Sequence, residues 1–470
     1  GAHQGDRESL VRQLGAQHGI GERLVVQAYS EDNKDRWIAA VNLDDATLIP
    51  LEHDPDEAWI NWRYRDLGWL PDSKTIYFLS ERTGYGHLYR RDASDPDAEV
   101  TAVTAGEFVV DRIDRSADGW TMLLRANARH PGSYNCWLYD ARSGRLVRAT
   151  NYRGGLDTFD LSPDGSKILV RHSRPNMPPE LYVQEATIAS PPMRITNTIS
   201  DEFLAMPWIE PEVVAIPGTH GRPIYTKVYL PPEGVELAEG GPPLVLFIHG
   251  AGYLQDAHRG WSTYFREHMF NQALAYRGYI VLTPDYRASA GYGRDWRTTI
   301  YRHMGQPELE DLEDCIDWAV FTHGADAERV GIYGGSYGGF LALMALFKQP
   351  ELYAAGVANR PVTDWAHYND GYTSNILNTP EVDPIAYERS SPIEFAEGLA
   401  DPLLICHGVL DDNVFYKDTV RLSQRLIELS KRDWYVMAYP IEPHGFREPR
   451  SWLDQYTRTF ELFEQRLMDR

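Results

Sequence analysis

Hydrophobic and polar positions along this chain follow two different grammars. Up to about residue 215, short apolar runs alternate with polar residues and are closed by turn residues, which predicts half-buried strands. Three segments, "WLPDSKTIYFLS", "RSADGWTMLLRA" and "LSPDGSKILVRH", set an aspartate-bearing turn before a strand, and Asp72, Asp118 and Asp164 recur every 46 residues. Each unit closes on a strand holding Leu-Tyr: "GHLYRRD", "CWLYDAR" and "ELYVQEA". A handful of short strands repeated at roughly this period predicts β-propeller blades. Three blades are expected, with "RLVVQAY…RWIAAVNL" as the remnant of another. Propellers close with roughly four to eight blades, so this region is either a minimal ring or the end of a larger one.

After about Ile216 the pattern changes. "PLVLFIHG", "YIVLTPDY", "RVGIYGG", "AAGVANRP", "PLLICHG" and "WYVMAYP" are continuous apolar runs. Helical patterns separate them, as in "LEDLEDCIDWAVFTHG", where Leu309, Leu312, Ile316, Ala319 and Val320 share one face. Alternating buried strands and helices predict a mainly parallel, doubly wound sheet covered on both faces. The expected division is therefore a propeller portion over 1–215 and an α/β domain over 216–470, with "LPPEGVELAEGGPP" as a surface loop.

Composition narrows the partners. The net charge is -22, from 46 basic and 68 acidic residues, which argues against nucleic acid. Cys136, Cys315 and Cys406 lie far apart and form no CxxC, so neither a disulfide framework nor a zinc site is expected, and the compartment stays open. No apolar run reaches the roughly 18 residues of a membrane span. No HExxH or clustered ligand spacing calls for a metal, and no cofactor motif appears.

One stretch carries the chemistry. In "RVGIYGGSYGGF" a strand runs into a helix through Gly334-Gly335-Ser336-Tyr337-Gly338, a G-x-S-x-G nucleophile elbow of α/β-hydrolase type. A serine hydroxyl needs a base, and the base an orienting acid, in the chain order Ser, Asp or Glu, His. Beyond Asp411 the only histidine is His444, in "YPIEPHGF", and "PLLICHGVLDDNV" offers Asp411 or Asp412 at a strand end. The oxyanion should meet the backbone N–H of Tyr337 and one from His249-Gly250-Ala251-Gly252, with Gly250 the first choice and Ala251 the second. His249, which precedes the serine, is expected to be a structural loop residue.

Together "GGSYGG", "HGVLDDNV" and "EPHGF", behind repeats such as "SERTGYGHLY", resemble the prolyl oligopeptidase family of serine peptidases, in its dipeptidyl peptidase IV-like branch. The resemblance covers nearly the whole chain. It implies that Asp411 is the triad acid, that Asn413 holds a substrate carbonyl and that Val414 lies beside the pocket. In "RPVTDWAHYNDGYTSN" it implies an aromatic box of Trp365, Tyr368 and Tyr372 for proline or another small side chain, with Tyr368 and Tyr372 meeting on one helical face. The implied activity is release of N-terminal dipeptides of Xaa-Pro or Xaa-Ala type through an acyl-enzyme, without a cofactor, by a homo-oligomer (a dimer). An acylaminoacyl peptidase or oligopeptidase would share the triad, and a carboxylesterase or an inactive binding protein fits less well.

Two departures stand out. The branch holds the substrate's amino terminus with a Glu-Glu pair, and this chain contains no Glu-Glu dipeptide. The family's propeller also carries about twice the blades expected from these repeats. The opening "GAHQGDRESL" lacks both an apolar signal core and a domain-starting strand. The expectation is that a second polypeptide, the amino-terminal part of the same precursor, completes the propeller.

Overall fold

Continuous apolar runs bury on both faces, and this sets the larger half of the structure, a computed structural model that describes residues 24–468 except Pro96 and Ala189. The opening "GAHQGDRESL" lies outside the described residues. The chain separates into two units, one through Ser200 together with Gly291–Asp295, the other spanning Asp201–Ala290 and Trp296 onward.

The second unit is built on an eight-stranded sheet, with strands β1 (Glu212–Pro217), β2 (Pro223–Tyr229), β3 (Leu244–Ile248), β4 (Ile280–Pro284), β5 (Val330–Gly335), β6 (Ala355–Asn359), β7 (Leu403–Gly408) and β8 (Trp434–Tyr439). Their spatial order is β1-β2-β4-β3-β5-β6-β7-β8. β2 runs antiparallel to both neighbours, and every later pair is parallel. Every residue of β3, β4, β6 and β7 is buried, as expected of parallel strands with helices on each face.

The helices of this unit that bear on the candidate site include α1 (Phe265–Tyr276), α2 (Pro307–His323), α3 (Tyr337–Lys348) and α4 (Asp370–Leu377). Pro307 starts α2, and Gly324 ends it in the left-handed conformation at φ 66°. Leu309, Leu312, Ile316 and Ala319 are buried on its inner face, while Val320 is only half-buried. A fully buried Leu or Ile of this kind contributes about 1.5–3 kcal/mol. α3 is apolar all round, and Tyr337 through Phe347 are buried without a break. It packs against the middle strands of the sheet and has Ser336 at its head.

The first unit contains four antiparallel sheets among the described residues, one of three strands (Leu24–Pro55) and three of four strands, spanning Leu67–Ala102, Val110–Arg148 and Thr158–Arg194. The repeated aspartate has a repeated task. Asp72 accepts the N–H groups of Lys74 and Thr75, Asp118 that of Trp120 and Asp164 that of Ser166, each closing the turn between a sheet's first two strands. The residue after each aspartate turns left-handed, Ser73 at φ 55°, Gly119 at 72° and Gly165 at 71°, hence two glycines in three. All three cysteines are buried and unpaired.

Candidate active site

The glycines of "GIYGGSYGGF" are required by close approach rather than by flexibility. A Cβ on Gly334 would lie 2.6 Å from the Ile248 carbonyl oxygen, and one on Gly338 would lie 2.0 Å from the same atom. On Gly339 it would lie 2.7 Å from Asn359 O. No side chain fits where β3, β5, β6 and α3 converge. Between them Ser336 is held at φ 59°, ψ −117°, a strained conformation for a non-glycine residue, and its N–H donates to Asn359 O at 2.9 Å. A strained serine between strand and helix is the backbone signature of a nucleophile elbow.

At the carboxyl end of β7, Asp411 is buried and all its acceptor capacity is used. Oδ2 meets His444 Nδ1 at 2.7 Å and His407 Nε2 at 3.2 Å, and Oδ1 accepts the N–H groups of Asn413 and Val414, both at 2.9 Å. Burial alone would raise this carboxyl, yet the hydrogen bonds from His407 and His444 hold it far below the usual carboxylate range. Asp412, the next residue, is exposed. His444 itself is pushed below its ordinary value by burial and by the Arg360 guanidinium, against the pull of Asp411. With Nδ1 on the carboxylate, Nε2 is the free base.

His407 is a partner that sequence reasoning misses. Its Nε2 faces two acceptors, Asp411 Oδ2 and Val414 O (2.9 Å), so that nitrogen carries the proton, and Nδ1 accepts from the Thr419 hydroxyl at 2.8 Å. The available signal is its spacing of four residues from Asp411 across the strand end.

Gly250 sits against Ser336: a Cβ there would lie 3.4 Å from Ser336 Cβ and 2.8 Å from Gly335 O. Its N–H, however, donates to the Tyr264 hydroxyl at 2.8 Å. In this structure the Gly250 amide is thus engaged by a phenol, which brings a second possible donor to the same place. The hydroxyl that accepts it lies 3.1 Å from the same Cβ position and keeps its own proton to donate. Tyr264 immediately precedes α1, in a loop that carries no recognisable motif. The other expected donor, the Tyr337 N–H, belongs to the first residue of α3, where an amide has no intrahelical acceptor. His249 is buried, stacked on Tyr286 at 4.5 Å and bonded to Ser289 Oγ at 3.0 Å, the placement of a structural loop residue.

Trp365, Tyr368 and Tyr372 form one aromatic cluster, with centroid separations of 5.6, 6.0 and 5.8 Å. The two tyrosines meet edge to face without sharing a helix. Asn369 caps α4 by accepting the Tyr372 N–H, which leaves Tyr368 outside the helix in extended backbone. Tyr253 adds a fourth ring, 5.9 Å from Tyr372. Trp365 also packs on Tyr337 at 5.7 Å, and the Tyr368 hydroxyl donates to Asn413 Oδ1 at 2.8 Å. The cluster thus bridges from Tyr337, next to Ser336, to the turn that holds Asp411. The Val414 side chain is buried, and its backbone serves Asp411 and His407. Away from this site, His220, Asp311 and Asp314 bring potential ligand atoms within 4.8 Å of one another, but Arg287 Nε already donates to Asp311 at 2.8 Å.

The family model "Prolyl oligopeptidase family" matches residues 265–470, and "Dipeptidyl peptidase IV (DPP IV) N-terminal region" matches residues 17–179. Human dipeptidyl peptidase 8 is 33% identical over 453 residues, covering 87% of this chain and 49% of the relative. The mouse protein of that name is 28% identical over 466 residues, covering 89% and 51%. This chain therefore spans about half the length of the curated relatives it matches. The crystal structure of Porphyromonas gingivalis dipeptidyl peptidase 4 superposes with a TM-score of 0.83 at 21% identity, covering 95% of this chain and 62% of that one. Among the described residues no helix is long and apolar enough to cross a membrane. With its sheet order, its serine elbow and its propeller sheets, the chain belongs to the prolyl oligopeptidase family and sides with the dipeptidyl peptidase IV-like branch.

Proposed function

We propose that the chain is the catalytic part of a serine peptidase that releases dipeptides from peptide amino termini, with proline or alanine at the residue before the scissile bond. The observation that carries this reading is the 2.7 Å contact of Asp411 Oδ2 with His444 Nδ1, which leaves Nε2 as the base. Ser336 Oγ attacks the scissile carbonyl carbon as its proton passes to His444 Nε2, and the imidazolium forms beside Asp411. The Tyr337 N–H and the Tyr264 hydroxyl donate to the oxyanion. The C–N bond breaks as Nε2 returns the proton to the leaving amine, and water then hydrolyses the acyl-enzyme by the same route.

Trp365, Tyr368 and Tyr372 accept the small apolar ring of proline, and Asn413 donates its amide to a substrate carbonyl. Residues 1–215 are assigned to the propeller and 216–470 to catalysis. Pairing with further propeller strands, and assembly as a homodimer, belong to the same proposal. A second reading, an acylaminoacyl peptidase or oligopeptidase, is favoured by one observation, the lack of a Glu-Glu pair in these residues.

A substrate panel separates the two readings. Ala-Pro-p-nitroanilide should be cleaved at least tenfold faster than its N-acetylated form or a p-nitrophenyl ester. Faster cleavage of the acetylated compound would overturn the dipeptidyl peptidase reading and leave the triad standing.

A further inference from the structure

Glu308, in the first turn of α2, is fully buried. Its two oxygens serve different donors: Oε1 accepts the Tyr337 hydroxyl at 2.5 Å, and Oε2 accepts the Gly305 N–H at 2.8 Å. Tyr337 is the residue after the nucleophile. Its ring is held by Phe340 at 5.0 Å, Trp365 at 5.7 Å and Tyr286 at 6.1 Å, and Gly252 backs it so closely that a Cβ there would lie 3.1 Å away. Gly305 is equally tight against α3, since a Cβ on it would lie 2.8 Å from Met344 and 2.9 Å from Phe340. One carboxyl group therefore ties both the head of α3 and its flank.

We infer that Glu308 is a positioning residue for acyl transfer, whose carboxylate anchors the Tyr337 ring and through it fixes the Tyr337 N–H facing the oxyanion and the aromatic wall of the pocket. This rests on the proposed roles of Ser336 and Tyr337. Two acceptor oxygens for two donors suit the ionised form. Protonation would make one oxygen a donor and force the Tyr337 hydroxyl to turn away.

Burial lifts this carboxyl to about 7, against its bonds from Tyr337 and Gly305, so the anchor tightens and loosens near neutrality. The groups facing it are Asp311 on α2, which disfavours its charge, Lys348 at the end of α3, which favours it, and the phenols of Tyr337, Tyr286 and Tyr372. With the folded value above the unfolded one, the native state keeps a proton that the unfolded chain releases. Stability therefore falls as pH rises through this window. The ionised carboxylate is kept at a cost, as expected of a group retained for rate rather than for the fold.

The test is the pH dependence of inactivation by a fluorophosphonate probe, measured on the purified protein and on Glu308→Gln and Tyr337→Phe. An amide offers one acceptor oxygen, and phenylalanine removes the donated proton. The parent should gain about tenfold in inactivation rate across a step near pH 7, the scale of one hydrogen bond to a charged group. Both variants should lose that step, their effects should not add in the double variant, and Glu308→Gln should melt no lower than the parent at pH 8. A folded variant that keeps the parent profile within twofold, or rate losses that track losses of stability, would overturn the inference; if Glu308→Gln does not fold, Tyr337→Phe decides. Failure of the parent to be labelled at Ser336 would instead overturn the assignment of the nucleophile.

Discussion

Asp411 and His444 share one short contact, Oδ2 to Nδ1 at 2.7 Å, and the same oxygen is steadied from the other side by His407. The carboxylate proposed as the triad acid is thus held by two imidazoles and two backbone amides. Replacing it by Asn should keep the shape and present Nδ1 with the wrong partner, with a loss of about 10⁴ in kcat. Asp412→Asn should stay within about tenfold. Steady-state rates with Ala-Pro-p-nitroanilide give the ranking, and the reverse order would move the triad acid to Asp412.

Ser336→Ala should leave the fold intact and abolish turnover, since the strained turn tolerates alanine no worse than serine. Loss should be about 10⁶-fold, as for removal of a triad nucleophile. Intact-mass analysis after fluorophosphonate treatment should show one adduct on the parent and none on the variant. An adduct on the variant would place the nucleophile elsewhere.

Tyr264→Phe removes the hydroxyl that takes the Gly250 N–H and that is proposed to donate to the oxyanion. Losing one oxyanion donor costs about 10²-fold or more in kcat, with little change in KM. If turnover is unchanged while Gly250 still accepts no substitution, Gly250 N–H is the donor once the tyrosine is gone. The kcat and KM of the single variant decide this.

Tyr372→Ala opens the aromatic cluster beside Trp365. For Ala-Pro-p-nitroanilide, kcat/KM should fall about tenfold or more, while p-nitrophenyl acetate, with no side chain to place, should lose much less. Equal losses on both would make these rings packing only.

His444 is depressed below its ordinary value by burial, so its neutral, basic form persists to lower pH than that of a free imidazole. The main acid limb of kcat/KM should therefore fall below about pH 6.5. In Glu308→Gln only this limb should remain. A limb above pH 7 in that variant would mean that the Asp411 carboxylate outweighs burial. For Asp411 the direction of the stability effect is opposite to that of Glu308. A folded carboxyl below its unfolded value stabilises above about pH 4, and that increment is lost as pH falls. The Tm gap between parent and Asp411→Asn should accordingly narrow in acid.

The parts of the site that are legible in sequence are those imposed by backbone geometry. Ser336 can be read because only glycines fit around it, and His444 because no other histidine lies beyond Asp411. The sheet is legible because buried parallel strands leave unbroken apolar runs, as at Leu244–Ile248. The choice between Asp411 and Asp412 is different, since neighbours in a turn point apart and only the fold says which one looks inward. Tyr264 and His407 reach the site through position alone, one from a loop and one from a strand end, and neither residue type stands out. Spacing also misplaces Tyr368 and Tyr372 on one helix, because Asn369 prefers to cap. The rings meet all the same, through a break in the backbone that periodicity does not register.

The carbonyl oxygen of Ile248 would sit within 2.0 to 2.6 Å of any side chain placed on Gly334 or Gly338. Strand and elbow are therefore one mechanical part, with no slack to absorb a shift of a few tenths of an ångström. In a random mutational survey, conservative changes inside β3 should behave as activity mutants before they behave as folding mutants. The wall that supports the nucleophile would be mapped by lost turnover in well-folded protein, at residues that never touch a substrate.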